Sequence, residues 1–143
     1  MMLRYSASMV RNSLIQIHIL FQKNNMQKIL ILINDGPYGT EKAYNGLRLA
    51  NQLNKAHEDV EVRIFLMADA ASCALAGQNT PNGYYNIERM MKFSINKGSK
   101  VKICGSCADA RGLKNAELIK GTEISTMAEL TEWVVESDKV ITF

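Results

Sequence analysis

From residue 26 onward, two kinds of hydrophobic pattern take turns along the chain. Short apolar-rich runs lie at Ile29 to Ile33, Val60 to Met67, Lys100 to Cys104 and Lys139 to Phe143, and between them apolar residues recur every three or four positions. A run such as Ile29 to Ile33 predicts a strand buried on both faces, whereas the wider spacing predicts amphipathic helices. Ala43, Leu47, Ala50 and Leu53 mark the inner face of the first long helix. The turn Asn34-Asp35-Gly36-Pro37-Tyr38-Gly39 ends the first strand, and Thr40 is placed to cap that helix. Ala70 to Ala76 predicts a short helix stopped by Gly77, followed by a turn-rich loop at Thr80-Pro81-Asn82-Gly83. A helix from about Tyr84 to Asn96 buries Ile87, Met90, Met91 and Ser94, with Lys97 and Gly98 as end signals. The third strand runs directly into Gly105 to Gly112, a helix of one or two turns. A short strand is expected around Leu118 and Ile119. Thr126 with Glu129 is a capping box for a last helix whose inner face includes Met127, Leu130 and Val134, with Trp133 as a face anchor. Strand, loop and helix in this alternation predict an α/β domain with a parallel sheet covered on both faces.

Composition narrows the function more than the fold. The 143 residues carry 17 Lys plus Arg against 14 Asp plus Glu. The whole excess lies in residues 1–25, where Arg4, Arg11 and Lys23 stand without an acid. That acid-free, Ser-bearing stretch has the composition of a transit peptide, and Leu14 to Phe21 faintly resembles a signal core. Gln16 and His18 interrupt it, however, and no small-residue cleavage site follows. The simpler reading takes residues 1–25 as an upstream extension and residues 26–143 as the domain, with Met26 directly before the first strand. No apolar run of about 18 residues exists, so no transmembrane helix is expected. Lys92, Lys97, Lys100 and Lys102 form a basic cluster, but no aromatic platform interleaves them and the domain is formally neutral, which argues against nucleic-acid binding. Eight methionines are read as core packing.

Three cysteines are too few for a disulfide scaffold. Cys104 stands out among them, because it closes a predicted parallel strand at the sheet edge where α/β proteins place their ligands. A helix begins at the next residue, so backbone N–H groups should favour its thiolate. Gly105 leaves room beside the sulfur and Ser106 follows. Cys107 completes a C-x-x-C pair, near enough for a disulfide or a handed-on sulfur atom. Zinc usually takes four Cys or His ligands, and Cys73, His18 and His57 are scattered without ligand spacing, so no metal is expected. A thioredoxin-type dithiol normally comes early in its domain, and this pair comes late. Cys73, in the Ala-rich helix after the second strand, is read first as core filling and second as a supporting thiol on the same sheet edge. The loop Asp35 to Thr40 is read as a turn with a Thr cap rather than an anion cradle, since the Gly-Lys-Ser/Thr ending of a P-loop is missing. Arg111 can add positive charge near Cys104, although a surface ion pair is its simpler role.

Taken in order, several segments resemble one family. They are Asn34 to Thr40, Met67-Ala68-Asp69-Ala70 with Cys73-Ala74, Gly77-Gln78 through Gly83-Tyr84-Tyr85-Asn86, Val101 to Gly112, and Met127-Ala128-Glu129-Leu130 to Phe143. Residues 26–143 resemble the DsrE/DsrF-like group, which includes YchN-like proteins and sulfur-relay subunits. The resemblance implies a three-layer α/β sandwich with a mainly parallel five-stranded sheet, of flavodoxin/Rossmann-like topology, assembling into homotrimers or homohexamers. It implies a cytoplasmic sulfur carrier or sulfurtransferase, without a cofactor, in which Cys104 holds a persulfide next to Gly105 and Ser106. Sulfur-donor and sulfur-acceptor proteins would be its partners. Cys107 lies inside the matching segment, but many relay members lack a second Cys there. Two other readings stay open: a non-catalytic oligomeric binding module, and a thiol-disulfide redox protein using Cys104 and Cys107.

Overall fold

A computed structural model describes residues 11–16 and 26–143. Residues 11–16 are helical and exposed (α1); the other residues of the expected extension lie outside the described part. The domain runs β1 (Gln27–Ile33), α2 (Lys42–Ala56), β2 (Val60–Leu66), a 3₁₀ helix (Ala68–Ala74), α3 (Ile87–Asn96), β3 (Lys100–Cys104), α4 (Gly105–Ala110), β4 (Thr122–Ser125), α5 (Met127–Glu136) and β5 (Lys139–Thr142). The strands form one sheet in the order β4-β3-β2-β1-β5, and every neighbouring pair is parallel. The chain therefore steps outward from β1 through three crossovers and then returns to β1's other edge, which makes the β1/β5 boundary the topological switch point.

Strand side chains alternate between two unequal layers. Ile29, Ile31 and Ile33, with Val62, Ile64, Leu66, Val101 and Ile103, face α2 and α3 and meet Ala43, Leu47, Ala50, Ile87 and Met91 in the larger core. The opposite face holds Leu30 and Phe65 with Leu130 and Trp133 of α5, and Cys104 belongs to this smaller cluster. Burying a large apolar side chain contributes roughly 1.5–3 kcal/mol, so the α2/α3 layer supplies most of the hydrophobic stabilisation. Polar pairs fix how α2 sits on α3. Ser94 Oγ donates to Asn51 Oδ1 at 2.6 Å and Asn54 Nδ2 donates to Ser99 Oγ at 2.8 Å. On the α5 side, Arg63 is buried and its guanidinium donates to Glu61 at 2.7 Å and to Glu136 at 2.8 Å. Arg63 also lies over the Trp133 ring, as Lys102 does, at 5.4 and 5.0 Å from its centroid.

Several boundaries differ from the sequence reading. The edge strand is Thr122–Ser125, not the segment around Leu118 and Ile119. Leu118 forms only an isolated antiparallel bridge to Leu75, and Ile119 is a buried plug in the larger core. The second long helix starts at Ile87, because Asn86 caps it by accepting from the Arg89 N–H. Residues 68–74 are 3₁₀ rather than α-helical. On α5 the buried residues are Leu130 and Trp133, while Met127 and Val134 are exposed. Thr40 sits one residue before the cap position of α2; it accepts from the Lys42 N–H at 3.3 Å and donates to Asp35 at 2.7 Å. The capping box at Thr126 is half formed. Thr126 accepts from the Glu129 N–H, but the Glu129 carboxylate turns to Ser125 Oγ and Lys102. Among the described residues, no helix is long and apolar enough to cross a membrane.

Candidate functional site

β3 delivers Cys104 to the carboxyl edge of the sheet, and its backbone becomes the cap residue of α4 without an intervening loop. Such an abrupt junction needs a small residue. A Cβ on Gly105 would stand 3.1 Å from the Ser125 carbonyl oxygen and 3.2 Å from Ile124 Cγ2, so the space that Gly105 leaves is filled by β4. The result is a shallow pocket lined by Cys104, Gly105, Ser106, Asp109, Ile124, Ser125, Thr126 and Met127. Cys104 itself is only 6% exposed, at the back of this pocket.

The Cys104 sulfur is surrounded by donors. The Cys107 N–H points at it from 3.4 Å, and Ser106 Oγ lies 3.3 Å away. Burial is the largest single influence on its ionisation and raises its pKa, but the Cys107 thiol, the Ser106 hydroxyl and the two backbone N–H groups together outweigh it. Cys104 is therefore held below the ordinary thiol range. α4 is only six residues long, so these individual donors, rather than an extended helix dipole, favour the thiolate.

Cys107 has a different environment. Its Sγ accepts the Ala68 N–H at 3.2 Å, from the start of the 3₁₀ helix. Burial first, and then the neighbouring Cys104 sulfur, push its pKa up, while the Ala68 N–H and Arg111 oppose the rise. Ala68 has φ of +46°, the single positive value at a non-glycine position among the described residues. Its neighbour Asp69 takes both Nε and Nη2 of Arg111, at 2.9 and 2.7 Å, and Arg111 Nη1 donates to the Cys107 carbonyl at 3.1 Å. The charge of Arg111 is thus spent chiefly on Asp69, and it braces α4 against the 3₁₀ helix.

Cys73 is not brought to this pair. It is fully buried in the larger core, its thiol donates to the Asp35 carbonyl at 3.7 Å, and burial pushes its pKa up to about 12. The Asp35 to Thr40 loop closes on itself, with Asp35 accepting from Thr40 and Lys42. Among the described residues no cluster of three or more His, Cys, Asp or Glu side chains could hold a metal ion. Sequence reasoning missed Ser125 and Glu129. Ser125 pairs with Cys104 in the β3/β4 register, and Glu129 links it to Lys102. Two donors, Lys102 first and then Ser125, hold the Glu129 carboxyl below its usual range. The sequence carried no signal for this, since the Thr126 and Glu129 spacing predicts a capping box whichever way the carboxylate turns.

Known proteins share this architecture. The family model of the DsrE/DsrF-like family matches residues 27–143. Protein YchN of Escherichia coli K12 is 43% identical over 118 residues, covering 82% of this chain and all of YchN. Uncharacterized protein MJ0989 of Methanocaldococcus jannaschii is 42% identical over 116 residues, covering 81% of this chain and 99% of its own. The crystal structure of the E. coli YchN protein superimposes with a TM-score of 0.79 at 43% identity, over 82% of this chain and all of that one. A conserved protein of unknown function from Bacteroides thetaiotaomicron shares the fold at 15% identity, with a TM-score of 0.57 over 85% of this chain and 97% of its own. The chain belongs to the DsrE/DsrF-like family.

Proposed function

We propose that this protein is a sulfur carrier that relays sulfane sulfur as a persulfide on Cys104. The observation that carries the reading is the Cys104 sulfur at the strand-to-helix junction, facing a pocket, receiving the Cys107 N–H and sharing a hydrogen bond with the Ser106 hydroxyl. A thiolate is the nucleophile in sulfur exchange, and these donors favour it over the thiol. Attack on the terminal sulfur of a donor persulfide forms Cys104–S–SH and expels the donor thiolate, so one S–S bond forms as another breaks. An acceptor thiolate then takes the terminal sulfur by the same displacement, and Cys104 returns to its starting state. Family membership supports the reading, since the family is associated with sulfur relay.

Donor and acceptor proteins in the cytoplasm are the partners of this reaction. Met127, Val134, Val135 and Val140 are exposed apolar side chains on the α5 side of the sheet, and Ile124 is exposed at the pocket. They support assembly into a homo-oligomer, a trimer or hexamer, because apolar surface of this kind is commonly covered by a partner. Incubation with a cysteine desulfurase and cysteine is expected to add one sulfur atom to the wild-type chain, mapped to the Cys104 peptide, and none to Cys104→Ser. Equal labelling of the two proteins by intact mass overturns the proposal.

A further inference from the structure

We infer that Cys107 is a resolving thiol: it attacks the inner sulfur of a Cys104 persulfide, closes a Cys104–Cys107 disulfide and releases the carried sulfur as hydrogen sulfide. The inference rests on the carrier reading above and adds an internal exit for the sulfur that needs no acceptor protein. In balance, Cys104–S–SH and Cys107–SH give Cys104–S–S–Cys107 and H₂S. The Sγ–Sγ bond forms as the bond from Cys104 Sγ to the terminal sulfur breaks. That terminal sulfur leaves with the bonding pair and takes the Cys107 proton, so it is reduced while the two cysteines are oxidised. An external dithiol would restore the reduced pair.

Three observations lead to this step. The two thiols stand on the same turn, with Cys107's own N–H on the Cys104 sulfur, and each thiol influences the ionisation of the other. Cys107 also has an environment of its own that a mere filler would not need. The Ala68 N–H reaches its sulfur at 3.2 Å, Ala68 itself holds a backbone conformation that alanine rarely takes, and Arg111 is fixed beside it by Asp69. Finally, two groups other than Cys104 favour the Cys107 thiolate, the Ala68 N–H and the charge of Arg111, against burial and the Cys104 sulfur.

The test uses the full chain, reduced, loaded anaerobically with inorganic polysulfide and quickly desalted. Intact mass and released sulfide are then followed over time. In wild type the added sulfur is expected to disappear as an equal amount of Cys104–Cys107 disulfide and free sulfide appears. In Cys107→Ser, and in Cys107→Ala as a second variant, the persulfide should persist at least about tenfold longer, because an intramolecular thiol acts at high effective concentration. Equal persulfide lifetimes in wild type and both variants overturn the inference while leaving the carrier reading intact. So does a sulfur atom found on the Cys107 peptide without a disulfide. If the wild-type chain takes up no sulfur on Cys104 at all, the carrier reading fails and the inference falls with it. The disulfide and sulfide measured in wild type need no substitution, so a misfolded variant cannot decide the outcome.

Discussion

Cys73 should make the fold sensitive to alkali while taking no part in thiol chemistry. It is fully buried, and its pKa is pushed up to about 12, chiefly by burial. In the unfolded chain the same thiol titrates at about 8.5. The folded pKa of this acid is therefore raised, and the stability it contributes is complete below the unfolded value and is lost as pH climbs toward the folded one. Between those values the unfolded chain releases the proton and the folded chain keeps it, at a cost of about 1.4 kcal/mol per pH unit and about 2 kcal/mol by roughly pH 10. Many groups titrate in that range, so the contribution has to be isolated by difference. Cys73→Ala should lose about 1 kcal/mol or more to the cavity at every pH, and should lack the alkaline slope. Urea denaturation of the two proteins from about pH 7 to pH 10 is expected to show their stabilities converging as the pH rises. Iodoacetamide under native conditions should label Cys104 and leave Cys73 untouched. Parallel stability curves, or labelling of Cys73 at a rate comparable to Cys104, would refute the reasoning and reopen a chemical role for Cys73.

Two other substitutions address the site and the strand beside it. Ser106→Ala removes a donor from the Cys104 sulfur, so the Cys104 pKa should rise. Alkylation of Cys104 at neutral pH should slow, by up to about tenfold, and a pH–rate profile unchanged from wild type would contradict it. Gly121 precedes β4 with φ of +93°, and a Cβ there would stand 2.7 Å from Ile95 Cγ2. Gly121→Ala is expected to destabilise the domain by about 1–3 kcal/mol in urea denaturation.

What could be read from the sequence follows from how strongly each element is specified. β1 and β2 are central strands buried on both faces, so their apolar runs are nearly continuous and their positions follow directly. β4 is an edge strand that needs a hydrogen-bond ladder to β3 but little hydrophobicity, and Thr122-Glu123-Ile124-Ser125 carries almost no pattern. Leu118 and Ile119, which are more apolar, plug the core instead. On α5 two apolar stripes compete, Met127 with Val134 and Leu130 with Trp133. The second faces the sheet because Phe65 meets Trp133 edge-on at 6.1 Å, a tertiary contact that periodicity cannot express. At the site, the cysteine pair was legible from its spacing and from the strand that precedes it. Ala68 was not, since nothing in an Ala-Asp-Ala sequence marks a positive φ or directs a backbone N–H to a sulfur 39 residues away.

The position of the site also has a physical reason. In open parallel sheets a ligand normally enters at the switch point, here between β1 and β5. That crevice is occupied by the protein's own chain. The Asn34 N–H donates to the Phe143 carbonyl at 2.9 Å, and the Phe143 ring lies close over Gly46, where an added Cβ would come within 3.2 Å of it. With the usual entrance filled, the carboxyl edge is open instead at β3 and β4, where Gly105 lets a helix begin with no loop between strand and sulfur. α5 packs on that face, in a smaller core that also takes in Cys104, with Cys107 and Met67 packed against it. This placement suits the proposed carrier role, because Cys104 is largely buried yet faces an opening lined by Ile124, Thr126 and Met127.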